Sequence, residues 1–159
     1  MIEGREVTWF PSYGAEVRGG TANCTVILSD ALIGSPVVTS PDILIVMSDA
    51  SLNKFLPQLK QNGLLCFDAS LIKTGILRTD IEIVGIPATD ISSRLGDTKS
   101  ANMVMLGGMI AETGIVRKAS ALQAVESSMK GKKKNLIDVN KKAILEGMTY
   151  RENQKSKNI

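Results

Sequence analysis

The chain is 159 residues long, 43% hydrophobic and 22% charged, a globular balance that suits one domain and excludes a disordered or fibrous polypeptide. Its net charge of +3 is too small for the basic face that nucleic-acid binding requires. No charged-then-apolar leader opens it and no apolar run is long enough to span a bilayer, so it reads as soluble and cytoplasmic, with neither nucleic acid nor membrane as partner.

Aromatic residues are only 4% of the total, and the apolar weight lies in Ile, Leu, Val, Ala and 7 Met. Such side chains suit tightly layered packing and subunit interfaces. Cys24 and Cys66 are far apart in apolar surroundings and read as reduced, buried thiols.

In chain order, Ile2-Glu3-Gly4-Arg5 matches a protease-cleavage tag and equally well a native lead-in to a strand over Glu6–Phe10, which Pro11 stops. A loop rich in Gly and charge follows to Gly20. Thr21–Ser29 reads as a buried strand and Pro36–Val38 as a brief extended piece. Ile43–Met47 is apolar throughout, which implies burial on both faces of a sheet. Ser51 is placed to cap a helix through about Gln61, closed by Asn62-Gly63. Strands over Leu64–Phe67, ending at Asp68, and over Ile81–Ile86 come next, and Pro87 begins a short helix to Leu95 with Gly96 just beyond it.

Lys99–Thr113 is apolar nearly all round, which predicts a buried helix. Ser120 is placed to cap a helix to Met129, and Asn135 to open a last helix to about Met148. The expected domain is therefore 1–148, with 149–159 a polar, flexible tail. Short apolar strands alternating with helices predict an α/β, Rossmann-like fold: a mostly parallel sheet with helices on both faces, followed by C-terminal helices.

Much chemistry is missing from the sequence. It contains 0 His, which removes imidazole bases, triads and His-containing metal sites. Two isolated cysteines cannot hold an iron–sulfur cluster, which takes four thiolates in tight spacing. Neither a Walker-type phosphate loop nor a Gly-x-Gly-x-x-Gly turn after a strand is present. Gly96-Asp97 with Asn102 echoes a thiamine-diphosphate metal motif, but its spacing is too short.

The densest constellation runs from Ser12 to Asn23, and its candidate residues are Tyr13, Gly14, Glu16, Arg18, Gly19, Gly20 and Asn23. Glycines permit positive φ and close approach, while Arg18 before Gly-Gly can aim a guanidinium and several peptide N–H groups at one anion. The same residues also fit a turn whose Glu16–Arg18 pair bonds only to the protein itself. Asp49 and Asp68 end two strands at the carboxyl edge of the sheet, where ligands of open α/β sheets bind. Acids at strand ends more commonly cap the following turn or helix. The basic run Lys130-Gly131-Lys132-Lys133-Lys134 reads as a solvated loop.

The stretch Pro-Ser-Tyr-Gly-Ala-Glu-Val-Arg-Gly-Gly-Thr-Ala-Asn-Cys over 11–24 resembles the gamma-type subunit of 2-oxoacid:ferredoxin oxidoreductases. Ile-Gly-Ser-Pro (33–36), Pro-Asp-Ile-Leu (41–44), Ile-Pro-Ala-Thr-Asp-Ile (86–91) and Ala-Asn-Met-Val-Met-Leu-Gly (101–107) follow collinearly. The resemblance suggests the branch acting on 2-oxoglutarate or a branched-chain 2-oxoacid, whose oxidative decarboxylation gives an acyl-CoA. It implies a non-catalytic subunit with no cofactor of its own. Thiamine diphosphate with Mg2+, iron–sulfur clusters and CoA would belong to the assembled enzyme, and alpha and beta subunits, with a ferredoxin-like delta subunit, would be the partners.

Members of that family usually begin with a strand, a Gly-x-Gly-Gly-Gln-Gly turn and a helix, and this sequence starts after all three. The expectation is a shortened start, or a partner that completes the sheet. A reading from a different class is a free-standing nucleotide- or anion-binding module that uses the 14–23 loop.

Overall fold

A computed structural model of the chain describes residues 2–12, 21–129, 131 and 134–157. Its first two strands, β1 (Glu6–Ser12) and β2 (Asn23–Ser29), pair antiparallel as a two-stranded ribbon, with Trp9 opposite Val26 and Val7 opposite Leu28. This corrects the expectation that Thr21–Ser29 is a buried strand, since Val26 is 55% exposed. A ribbon has no third strand to cover it, and apolar composition alone does not reveal that. The same geometry explains why β1 runs through Pro11: both strands are edges, where a missing N–H is tolerated.

The parallel sheet is three-stranded, in the order β3 (Ile43–Val46), β4 (Leu64–Asp68), β5 (Glu82–Ile86). Successive side chains alternate between faces. Leu64, Cys66, Val84 and Ile86 join one core cluster with Ala88, Ile91, Ala101, Val104, Met105 and Ala143 from the helices. Val46 and Leu65 join a second cluster with Leu52, Leu59 and Ile72. Helices and their connections thus cover both faces, as the alternation of strands and helices predicts. β3 is an edge strand, however, so Ile45 is 41% exposed rather than buried. No strand forms at Pro36–Val38.

Helix α1 (Asp49–Phe55) starts earlier than expected, because Ser48 rather than Ser51 is its cap: the Ser48 hydroxyl accepts from the Ser51 N–H. A 3-10 turn (Leu56–Gln58) extends it, and Asn62 takes a positive φ of 59° before Gly63. Helix α2 (Ala88–Arg94) follows Pro87, and Gly96, at φ 81°, turns the chain after it. A 3-10 turn (Thr98–Ser100) leads into α3 (Ala101–Thr113), closed by Gly114 in the left-handed region. Helix α4 (Lys118–Ser128) begins before Ser120, which lies inside it.

Helix α5 (Lys134–Lys157) is longer than the apolar pattern implies, so the expected flexible tail from Thr149 is helical through Lys157. Its buried positions, Asn140, Ala143, Ile144, Gly147 and Met148, form a stripe at helical spacing. Beyond Met148 the stripe continues in cations. Arg151 pairs with Glu112 of α3, and the Lys155 ammonium lies 3.1 Å from the same carboxylate while donating to the carbonyls of Ala111 and Glu112.

Helices α3 and α5 cross at glycines. A Cβ on Gly107 would sit 2.1 Å from the Ile144 carbonyl oxygen, and one on Gly147 2.0 Å from that of Val104. One on Gly108 would meet Ile86 Cδ1 at 2.3 Å, so α3 is also pressed onto the sheet. Backbone atoms cannot rotate aside as a side chain can. Alanine is intrinsically better than glycine inside a helix by about 1 kcal/mol. Overpacking a tight contact costs about 1–3 kcal/mol, occasionally more, and wins where the obstacle is backbone. Gly147→Ala should therefore lower the unfolding temperature, whereas Gly34→Ala, with nothing within 4 Å of its added Cβ, should change stability by less than about 0.5 kcal/mol. Equal melting curves for the two variants would contradict the crossing.

Candidate functional site

Of the residues that sequence reasoning singled out, Tyr13, Gly14, Glu16, Arg18, Gly19 and Gly20 lie outside the described residues. Asn23 is described: it opens β2 directly opposite Ser12 and is half-buried. Lys130, Lys132 and Lys133 of the basic run are likewise outside, while Gly131 takes a φ of 84° and Lys134 opens α5.

The two strand-end acids serve the fold. Asp68 is fully buried, and its carboxylate accepts from the N–H groups of Ser70 (3.0 Å), Ala88 (3.1 Å) and Thr89 (3.2 Å) and from the Thr89 hydroxyl (2.6 Å). It thereby satisfies orphan donors at the start of α2 and ties that helix to the end of β4. Asp49 accepts from the Thr74 hydroxyl at 2.6 Å. The capping reading therefore holds for Asp68, whereas Asp49 lies in the first turn of α1, which Ser48 caps, and the ligand-edge reading gains no support from the geometry of either acid.

The thiols also separate. Cys66 is fully buried on β4, and burial, with the nearby Glu112 carboxylate adding to it, pushes its thiol up to about 12. Cys24 is exposed on the ribbon, which corrects the expectation of two buried thiols. The two do not come together as cluster ligands, and no group of three or more His, Cys, Asp or Glu among the described residues could hold a metal ion. These residues do not fit an iron–sulfur cluster. No helix among the described residues is long and apolar enough to cross a membrane.

What the described residues do present is apolar surface on the ribbon. Val7, Trp9 and Pro11 share one face with Leu28, Val26 and Cys24, because directly paired residues point the same way. At the root of the ribbon, Val7 and Leu28 line a cleft of about 430 Å3 whose far wall is Met103, Leu106 and Ile110 of α3 with Ala121 and Val125 of α4. Farther out, Trp9 is 59% and Val26 55% exposed, and Phe10 on the opposite face is 48% exposed.

Sequence reasoning missed the residues that brace this ribbon. The Glu3 carboxylate accepts from the Arg117 N–H at 2.8 Å, and Arg5 Nη1 donates to the Ile115 carbonyl at 2.8 Å. The Ser120 hydroxyl and then the Arg117 N–H hold the Glu3 carboxyl below the usual carboxylate range. No local signal could have found contacts between residues more than a hundred positions apart.

The family model described as "Pyruvate ferredoxin/flavodoxin oxidoreductase" matches residues 1–150. The ketoisovalerate oxidoreductase subunit VorA of Methanothermobacter thermautotrophicus is 36% identical over 156 residues, which are 95% of this chain and 31% of that protein. The chain thus spans about a third of the length of the VorA relatives it matches. The 2-oxoglutarate synthase subunit KorC of the same organism is 36% identical over 157 residues, covering 92% of this chain and 83% of KorC. Among solved structures, the gamma subunit of keto/oxoacid ferredoxin oxidoreductase from Geobacter sulfurreducens superposes with a TM-score of 0.77 at 28% identity, over 94% of this chain and 82% of that one. The 2-oxoglutarate:ferredoxin oxidoreductase of Magnetococcus marinus gives a TM-score of 0.83 at 18% identity, over 94% of this chain and 26% of that one, a likeness of fold.

Among the described carboxylates, Glu112 carries a clear pH signature. Its hydrogen bond from Arg151, reinforced by Lys155 against the opposing effect of burial, lowers its pKa below the ordinary value. A group depressed in the folded state contributes stability that is complete above its unfolded pKa and is lost as pH falls through its folded pKa. Unfolding free energy should therefore decline on acidification through and below the usual carboxylate range, and Glu112→Gln should flatten that acid limb while lowering stability at neutral pH. An unchanged acid limb in the variant would show that the ion triad does not set it.

Proposed function

Because the chain belongs to the pyruvate ferredoxin/flavodoxin oxidoreductase family, we propose that it is the non-catalytic, gamma-type component of a 2-oxoacid:ferredoxin oxidoreductase. The assembled enzyme oxidatively decarboxylates a 2-oxoacid to an acyl-CoA. The observation that carries this reading is the match to KorC, which extends over 83% of that separate subunit. We take 2-oxoglutarate as the substrate, a reading supported by KorC, while VorA, at the same 36% identity, keeps a branched-chain 2-oxoacid as the alternative. The comparisons do not favour a free-standing nucleotide- or anion-binding module.

The partners are alpha and beta subunits, with a ferredoxin-like delta subunit. Those partners hold thiamine diphosphate, Mg2+ and the iron–sulfur clusters, which supply the decarboxylation and electron-transfer chemistry. This division agrees with how the described groups are used: Asp68 caps α2 and Glu112 clamps α5. The chain's own contribution is surface, in the apolar ribbon and in the 12–23 stretch between its strands. There Tyr13, Gly14, Glu16, Arg18, Gly19, Gly20 and Asn23 supply the subunit contact, or an anion contact on the CoA side of the active site. Arg18 suits either, since its planar fork matches a carboxylate of another subunit or a phosphate.

The test is reconstitution with the partner subunits. The assembly should reduce a viologen dye with 2-oxoglutarate and CoA, and this chain alone should not. Arg18→Ala should weaken assembly or cofactor-dependent rate by roughly 2–5 kcal/mol if the contact is desolvated, with Arg18→Lys restoring part of it. Thermal unfolding of the free chain should move by no more than about 1 kcal/mol, because an exposed ion pair contributes little. Turnover by the isolated chain, or a fully active assembly containing Arg18→Ala, would overturn this account.

A further inference from the structure

The bend that leads into β4 makes two demands, and each selects a residue. Position 62 must take the left-handed region, and among the described residues Asn62, at φ 59°, is the non-glycine residue that does so. Asparagine enters that region more readily than most residues that carry a side chain. Position 63 has no room for a side chain: a Cβ there would meet Leu59 Cδ1 at 2.8 Å and the Lys60 carbonyl oxygen at 2.9 Å. The fold thereby writes Asn-Gly into the chain, whereas every other asparagine precedes a residue with a side chain.

An asparagine side chain is open to attack by the backbone nitrogen that follows it, and a glycine there presents no Cβ to obstruct the approach. The Gly63 nitrogen gives up its proton to base and bonds to Asn62 Cγ, the Cγ–Nδ2 bond breaks, and the side-chain nitrogen leaves as ammonia. The cyclic imide then adds water at either carbonyl and opens to aspartate or to iso-aspartate, with nothing oxidised or reduced. Asn62 is exposed to the water and base that the step consumes. The attacking nitrogen, however, is committed elsewhere: its N–H donates to the Lys60 carbonyl at 3.1 Å, while the Asn62 N–H donates to the Asp80 carbonyl at 2.7 Å. Arg78 stiffens the same turn, since its guanidinium donates to the carbonyls of Leu56 and Leu59 and pairs with Asp80.

We propose that Asn62 is a site of self-catalysed deamidation, gated by opening of the turn over 60–63. Its iso-aspartyl product carries the chain through the former side chain, which adds a backbone atom just ahead of β4, the middle strand. Register with both neighbours starts at this point: the Leu64 N–H donates to the Asp42 carbonyl at 2.9 Å, and the Gly63 carbonyl accepts from the Glu82 N–H at 2.9 Å. Cys66 and Leu65 of β4 belong to separate core clusters on the two faces, so a disturbed entry to the strand reaches both. The aspartyl product leaves the backbone as it was. The proposal is independent of the chain's role in an assembled enzyme.

The folded full chain is incubated in mildly alkaline buffer beside the same chain in urea, and its tryptic peptides are followed by mass for conversion of each asparagine amide to a carboxyl group. In urea Asn62 should convert ahead of every other asparagine. In the folded chain it should still convert, but about tenfold or more slowly, because a gated site reacts only in its open fraction. Arg78→Ala, which leaves Asn62 and Gly63 in place, should raise the folded-state rate together with hydrogen exchange of the Gly63 amide. The iso-aspartyl form, separated by chromatography, should melt below the wild type, whereas Asn62→Asp, with the same added charge on an unaltered backbone, should melt close to it. No conversion at Asn62 in the folded chain would overturn the site. Equal rates in the folded and urea-unfolded chain would overturn the gate, and that comparison decides it even if Arg78→Ala does not fold. Equal melting of the iso-aspartyl form and the wild type would overturn the consequence for β4.

Discussion

The close crossing of α3 and α5 governs the rest of the structure. With hydrogen alone at Gly107, Gly108 and Gly147, the two helix backbones and the sheet residue Ile86 come within a distance that any side chain would prevent. Van der Waals attraction falls steeply with a gap, so this approach puts the two helix backbones in direct dispersion contact. It also brings Ala143 and Ile144 of α5 into the core beside Val104 and Ile110 of α3. Two helices far apart in sequence are thereby fixed as one layer over the sheet.

Two consequences follow from that layer. The first is at the end of α5, where the helix reaches Glu112 and the terminal carbonyls of α3, and Arg151 and Lys155 find partners they would lack in an isolated tail. The second is on the opposite flank of α3. With one side given to α5 and the sheet, Met103, Leu106 and Ile110 border the cleft beneath the ribbon. The rigid layer thus provides the floor, and the ribbon stands at its edge on polar ties, with Trp9 and Val26 exposed beyond the cleft.

Much of this was legible in the residues. The Leu64–Asp68 strand, the short helix after Pro87 and the buried helix ending at Thr113 follow from apolar runs, proline and the absence of a polar face. The motif at 11–24 and the collinear stretches after it pointed to the family that the comparisons then established. What escaped depends on distant partners. Val26 and Cys24 look like core residues by composition, and only the pairing of β2 with β1 alone shows that they are exposed. Residues 149–157 look polar and loose because the stripe that anchors them turns from apolar to cationic after Met148. Glu3 belongs to the start of α4 only once the chain has folded back on itself.

We propose that the β1–β2 ribbon is the surface through which the chain joins an assembled enzyme. Hydrogen exchange, compared between the free chain and the reconstituted assembly, tests it most directly. The account predicts new protection at Glu6–Ser12 and Asn23–Ser29 on assembly, while the amides of α3 and α5 around Gly107 and Gly147, already buried in the free chain, stay as they were. Unchanged exchange in the ribbon, with new protection confined to another surface, would contradict it.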